Sequence, residues 1–421
     1  MEINYEPFSE AARVNPYPYY RALREHAPVY WAAGVGAWVV SRYDDALHVL
    51  THPELFSSDA MRTMFMSDQT GAGNLAPDQV ERMLEIMRTL PFSPEEMLAA
   101  RNMISVDAPD HERMRKIVSR GFTPRRIASY ELKVHAIVDR CMEKLRLDGR
   151  FDLVEDLAIP VPTLIIAKML GVEPERYGDF RRWSDSVISN STGSGRGRSP
   201  LETGYLENVA ELTRYLVGVV EERRKEPSDD LVSVLIAAEG GEAGLSALEV
   251  VIFTLLLLVA GNETTTNLIG NAVNALLDHP EQLRLIEQNP ALVPSLVEET
   301  LRFDGPIQFL FRRARSATEI AGTAIPADAM VMPLLGSANR DERRFARSEE
   351  FDITRDTTGH LAFGFGVHFC LGAALARLEA GIALDAIVAE LPRLRRPGSA
   401  VEPIDSYLIR GLRSLELVRA A

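Results

Sequence analysis

The sequence predicts a mainly α fold with a minor β portion, organised as one large domain over residues 1–421. Three observations carry that reading. From His111 to Val388 apolar residues recur at the period of about 3.6 residues that marks amphipathic helices. Strand-like runs are few and short. No internal repeat is visible, and no linker divides the helices into blocks, so the length prior of two or three domains gives way to one.

Taken in order, Tyr17–His26 reads as an amphipathic helix, Ala37–Ser41 as a short strand, and Tyr43–Leu50 as a helix ahead of Pro53. Met61–Met103 is Met-rich and irregular, punctuated by Gly71, Gly73, Pro77, Pro91 and Pro94. Its methionines suit either filler under a loop or an adaptable wall of an apolar pocket, because Met re-packs easily. Helices are expected near His111–Arg120, Pro124–Leu145, Pro160–Leu170, Pro174–Ser189, Leu206–Glu226 and Leu231–Ala238. Leu245–Asp278, Pro280–Gln288 and Val293–Phe303 continue the series. Ser191–Ser199 is a flexible Gly/Ser-rich loop. The remaining strand-like runs are Ile307–Arg312, Glu319–Ile325, Met330–Leu335 and a stretch near Tyr407–Leu417.

The formal charge is −14, which argues against nucleic-acid binding, since phosphates need basic surface. It suits a monomeric cytoplasmic protein. Met1–Glu10 carries acids and no apolar run, so no secretory signal is expected. The longest apolar run, Val250–Gly261, spans 12 positions, short of the roughly 20 that cross a bilayer. Two cysteines, Cys141 and Cys370, exclude a disulfide framework and any multi-cysteine zinc or iron–sulfur site.

Cys370 lies in Phe363-Gly364-Phe365-Gly366-Val367-His368-Phe369-Cys370-Leu371-Gly372, with a helix expected from Leu371 toward Leu391. A helix N-terminus stabilises a thiolate through free amides and the dipole. Gly364, Gly366 and Gly372 let backbone approach a flat ligand, and Phe363 would shield the sulfur. Such a cysteine suits an axial haem ligand; a buried cysteine after an ordinary glycine turn is the plainer alternative. Cys141, in Val138-Asp139-Arg140-Cys141-Met142, has no such context and reads as structural.

Every defined position of F-G-x-G-x-H-x-C-x-G is present, and with it the chain resembles the cytochrome P-450 superfamily, over nearly its whole length. The resemblance implies a P-450-like helical domain with haem b between the long central helix and the cysteine-loop helix, and Cys370 as the axial ligand. Ala260-Gly261-Asn262-Glu263-Thr264-Thr265 matches the family's A-G-x-[DE]-T-T. By that likeness Thr264 hydrogen-bonds the bound dioxygen and its water, and Glu263 relays protons from solvent. Small Ala260 and Gly261 leave room above the haem. His111 and Arg115, four apart on one helix face, resemble the D-P-P-x-H-x-x-x-R segment and imply binding of haem propionates. Arg312 and His368 are further propionate candidates. Glu299 and Arg302 match the family's E-x-x-R pair and Arg355 its third member, all three structural. Departures are Ala108 for the first proline of D-P-P, Glu342 for the proline after Asn339-Arg340-Asp341, and Ala327-Asp328 where A-G is usual.

From His111 to Arg126 six basic residues face one acid, a local +5 within a chain at −14. This segment reads either as a solvated helix face or as a docking surface for an acidic electron donor, near Arg113, Arg115, Lys116 and Arg120. No dinucleotide motif or cysteine cluster exists, so electrons are expected from a separate ferredoxin or flavodoxin. The expected activity is a haem-dependent monooxygenation of a C–H bond, by hydroxylation or epoxidation, in an apolar small molecule. Pocket candidates by resemblance are Leu256, Val259, Ala260, Ile307, Phe309, Leu310 and Leu408. A peroxide-driven peroxygenase or an isomerase is the rival reading, and a non-catalytic haem sensor a second. Both would tolerate loss of the Glu263–Thr264 pair.

Overall fold

The computed structural model describes residues 4–60, 77–148, 150–191, 204–237, 244–398 and 401–420. The first part of the Met-rich segment (61–76) and most of the Gly/Ser-rich loop (192–199) therefore lie outside the described residues. The chain divides into two units. One comprises Met1–Met61, Glu131–Val161 and Thr264–Ala421, and the other Arg62–Tyr130 and Pro162–Glu263.

The first unit holds every described strand. In chain order these are β1 (Val29–Ala32), β2 (Ala37–Val40), β3 (Phe56–Ser57), β4 (Arg150–Asp152), β5 (Arg312–Ala314), β6 (Thr318–Ile320), β7 (Thr323–Ile325), β8 (Met330–Pro333), β9 (Leu394–Arg395) and β10 (Glu416–Arg419). The largest sheet has the order β1-β2-β8-β5-β3, with β2 and β8 parallel and in register from Ala37 opposite Met330 to Val40 opposite Pro333. Val40, Val49, Phe56, Ala314 and Val331 close the core beneath it, each fully buried. The expected strand Glu319–Ile325 is a hairpin, because Ala321 and Gly322 both take positive φ (48° and 80°) and turn the chain between β6 and β7.

Helices of this unit pack around Ala373–Val388, which touches Glu131–Asp148, Thr264–Asp278 and Val293–Asp304. Its Ala380, Ala383, Leu384 and Ile387 are fully buried, and the alanines let neighbouring backbones come close. The helix expected over Pro124–Leu145 is two, Pro124–Ser129 and Glu131–Asp148, with Thr123 capping the first.

In the second unit, Tyr177–Ser191 lies on Tyr205–Lys225, which also supports Ala247–Leu257 and Pro77–Arg88. Pro77–Arg88 is a helix inside the segment read as irregular. Pro77 opens it, where a missing N–H costs nothing, and Val80, Met83, Leu84 and Met87 repeat at helical spacing.

The long apolar helix runs from Ala247 to Asp278, 32 residues, long and apolar enough by length and composition to cross a bilayer. The helix expected over Leu245–Asp278 is therefore present, with the 12-position apolar run Val250–Gly261 inside it. Its second half is a core helix of the first unit, where Thr266 donates to the Ala158 carbonyl (3.0 Å) and Asn271 to that of Asp304 (2.8 Å). Midway, Leu258–Glu263 forms a π turn rather than continuous α-helix.

Candidate functional site

The cysteine loop is built by backbone geometry. Gly364 and Gly366 take φ of +66° and +72°, a region that side chains strain to enter. A Cβ on Gly366 would meet the Leu50 carbonyl at 2.8 Å. The Gly364 N–H donates to Leu361 O (2.8 Å) and the Cys370 N–H to Phe363 O (2.9 Å), so Phe363 and Cys370 are tied together. The helix after the loop starts at Ala373 with Gly372 as N-cap, so Cys370 lies two residues before the cap. Cys370 is half-buried and in no disulfide. Phe365, Val367 and Phe369 are exposed, which gives the loop an apolar rim.

Arg377, about one turn into that helix, couples electrostatically to Cys370. It sits 4.5 Å from the Phe363 ring centroid and grips Glu298 with two hydrogen bonds (2.5 and 2.9 Å). Glu298 also meets His360 Nε2 at 3.0 Å. Burial alone would raise the Glu298 carboxyl, but these two donors outweigh it and bring it down to about 2. Sequence reasoning missed this cluster; a base two turns past the cysteine was the available signal.

On the apolar helix, Leu256 and Val259 are half-buried and Ala260 is exposed, which makes an accessible stripe in the second unit, and Thr264, where the first unit resumes, is half-buried. Thr254, Leu258, Asn262 and Glu263 occupy the buried side. A Cβ on the half-buried Gly261 would lie 2.9 Å from Ile166 Cδ1, so that side-chain end would have to shift to admit one. Burial pushes the Glu263 carboxyl up to about 8. Its Oε2 and both polar atoms of the Asn262 side chain are buried with no hydrogen-bond partner among the described residues. A second buried acid, Glu379 on the post-cysteine helix, is also raised to about 8 by burial, offset in part by the Thr265 hydroxyl. The sequence reading did not single out Glu379.

His111 and Arg115 occupy one face of Asp110–Ser119, His111 buried and Arg115 half-buried. Burial, then the nearby Arg115 charge, lowers the His111 pKa. Arg312 is buried on β5 and donates to the Phe311 carbonyl (2.8 Å). His368 is half-buried in the turn before Cys370. Of the basic segment, Arg113 pairs with Glu249 and Arg126 with Asp229, while Arg120 donates to the Ala237 carbonyl (3.2 Å). Local acids therefore offset part of the +5.

An antiparallel bridge between Ile307 and Ile409, with the Gln308 N–H on Leu408 O (3.0 Å), brings the two expected pocket segments of the first unit together. Ile307 and Leu310 are partly buried against Tyr43, Leu50 and Leu335. Phe309 is fully buried, between Phe8 and Phe311, and lines a small cleft with Tyr5, Tyr20 and Tyr407. That cleft holds none of the residues near Cys370.

Glu299, Arg302 and Arg355 form one buried network. All five N–H groups of Arg302 are used: three on the Asn339, Ser348 and Glu350 carbonyls and two on Glu299 (2.7 and 2.8 Å). Arg355 approaches the same carboxylate at 3.5 Å. Glu342, where proline was expected, lies 3.4 Å from buried Arg24, and Asp328 takes the left-handed φ of 61° that a glycine would take.

These residues fit a thiolate-bound tetrapyrrole. Within the first unit, a soft sulfur donor sits on a glycine-shaped loop with an apolar rim, and the candidate propionate donors Arg312 and His368 are basic. Among the described residues no group of three or more His, Cys, Asp or Glu could hold a metal by itself.

The family model described as "Cytochrome P450" matches residues 198–412. The vitamin D(3) 25-hydroxylase of Pseudonocardia autotrophica is 38% identical over 412 residues, covering 96% of this chain and 94% of that protein. The 6-deoxyerythronolide B hydroxylase of Saccharopolyspora erythraea is 35% identical over 409 residues, covering 96% of each. Among solved structures, cytochrome P450 CYP109Q5 from Chondromyces apiculatus is 38% identical with a TM-score of 0.84, covering 100% of this chain and 99% of that one.

Proposed function

The chain belongs to the cytochrome P450 family and is a monooxygenase, as its relatives are; from that premise we propose that it oxidises a C–H bond of an apolar small molecule, with haem b held by Cys370. The observation that carries this is the cysteine loop, complete in its motif and bent by two left-handed glycines ahead of the Ala373–Val388 helix. Haem, when bound, supplies the reductive activation of dioxygen.

The chain's own residues bind, orient and deliver protons. Cys370 holds the group through its thiolate, and His111, Arg115, Arg312 and His368 donate to its carboxylates. Phe363, stacked under Arg377, keeps water from the sulfur. Glu263, raised to about 8, carries its proton at neutral pH and passes it toward the Thr264 hydroxyl, the next residue. Leu256, Val259 and Ala260 line the substrate's approach, with Ile307, Leu310 and Leu408 as further walls. Two relatives are named as hydroxylases, one a vitamin D(3) 25-hydroxylase and one a 6-deoxyerythronolide B hydroxylase, which supports hydroxylation of a small molecule. Electrons come from a separate ferredoxin or flavodoxin docking near Arg113, Arg115, Lys116 and Arg120, and the protein works as a cytoplasmic monomer.

The test is the visible spectrum of the reduced carbon monoxide complex. The wild type is expected to show the red-shifted thiolate band, and Cys370→Ala to lose it. Thr264→Ala should keep the band yet divert reductant to peroxide rather than product. A wild-type complex without the thiolate band overturns the assignment.

A further inference from the structure

The Glu298–Arg377–His360 cluster is used by nothing above except as a neighbour of Phe363. Its construction is specific. Arg377 lies seven residues after Cys370, on the helix the loop leads into. Its planar guanidinium is fixed by a two-point grip on Glu298 and lies over the Phe363 ring, 4.5 Å from its centroid. The Ala362 N–H donates to His360 Nδ1 (3.2 Å), so the other ring nitrogen carries the hydrogen and donates to Glu298 Oε2 (3.0 Å). The His360 ring in turn packs 6.0 Å from Phe363. Phe363 receives the Cys370 N–H on its carbonyl. One carboxylate therefore orients two donors around the aromatic ring that shares a hydrogen bond with the cysteine.

We propose that Arg377, held by Glu298 and His360, is a positioning residue that sets the electron affinity of the group bound to Cys370, by keeping a fixed positive charge against Phe363 beside the sulfur. This rests on the reading that Cys370 binds haem. A cation near the sulfur favours the added electron of the ferrous state, so it raises the ferric–ferrous potential. An ammonium, being compact and strongly hydrated, supplies the charge without the two-point grip.

The experiment is a mediated spectroelectrochemical titration of the haem-loaded full chain, paired with the reduced carbon monoxide spectrum. Arg377→Gln is expected to keep the thiolate band and shift the potential to more negative values. Arg377→Lys is expected to restore at least half of that shift. An unchanged potential in Arg377→Gln with the band intact overturns the proposal, as does an Arg377→Lys shift as large as that of Arg377→Gln. If Arg377→Gln does not load with haem, Arg377→Met removes the same charge and keeps most of the side chain's length, and a potential no lower than that of the wild type overturns the proposal. Loss of the band in the wild type would instead sink the haem-thiolate reading itself.

Discussion

Replacing Glu263 with Gln should stabilise the protein, and the gain should grow with pH. Glu263 is 8% exposed, and burial raises its carboxyl to about 8. The unfolded chain would titrate near the ordinary value of about 4.3. Between these values the folded state holds one proton that the unfolded state has released. Stability then falls as pH rises, by about 1.4 kcal/mol per unit. The carboxyl therefore costs little near pH 4.5, on the order of 3 kcal/mol at pH 7, and about 5 kcal/mol above pH 8. Glutamine keeps the shape and has no charge to desolvate. Urea unfolding of the apoprotein at about pH 5.5, 7 and 8.5 measures the difference between the two proteins. Glu379, raised in the same way, is present in both and cancels. The curves should diverge with pH, with Glu263→Gln above the wild type. Parallel curves would refute the claim that the site holds an expensive, protonated acid. The same variant should lose product coupling, because the stored proton is gone.

Two further substitutions probe the frame. Glu299→Ala leaves two N–H groups and the full charge of Arg302 uncompensated at zero exposure, and should cost about 3–5 kcal/mol. For a unit of roughly 250 residues that lowers the melting temperature by about 6–10 °C, read by calorimetry; an unchanged melt contradicts it. Gly366→Ala forces a side chain into left-handed backbone against the Leu50 carbonyl and should destabilise the apoprotein by at least about 1–2 kcal/mol. Gly372→Ala, at φ −85° and with nothing within 4 Å, should leave apoprotein stability nearly unchanged.

The contrast between these glycines marks what a sequence can and cannot say. All three motif glycines read alike in the string, yet only Gly364 and Gly366 need a left-handed backbone. The cysteine loop was legible because its signals are local: glycines, an aromatic and a cysteine within ten residues. The Glu299–Arg302 pair was legible for the same reason, since three residues place both on one helix face. The π turn was not, because a one-turn widening barely disturbs an apolar period, and Leu258–Glu263 is almost wholly apolar or small before Asn262. Nor was Pro77–Arg88, where prolines and glycines nearby outweighed a sound helical repeat.

Arg377 shows the sharper limit. Its partner Glu298 is 79 residues away in sequence, and the pairing exists only because the Val293–Asp304 and Ala373–Val388 helices pack together. Beside Glu299, whose i,i+3 partner announces itself, Glu298 looks like an ordinary surface acid. Folding gives the two adjacent carboxylates opposite directions: Glu299 turns inward to the carbonyl-lined Arg302, and Glu298 turns to the cysteine loop. One helix turn thus braces the core with one acid and orients the charge beside Cys370 with the next. A lesion at Glu299 should therefore register as lost stability, and one at Glu298 should cost stability and also release Arg377 from its place beside Phe363.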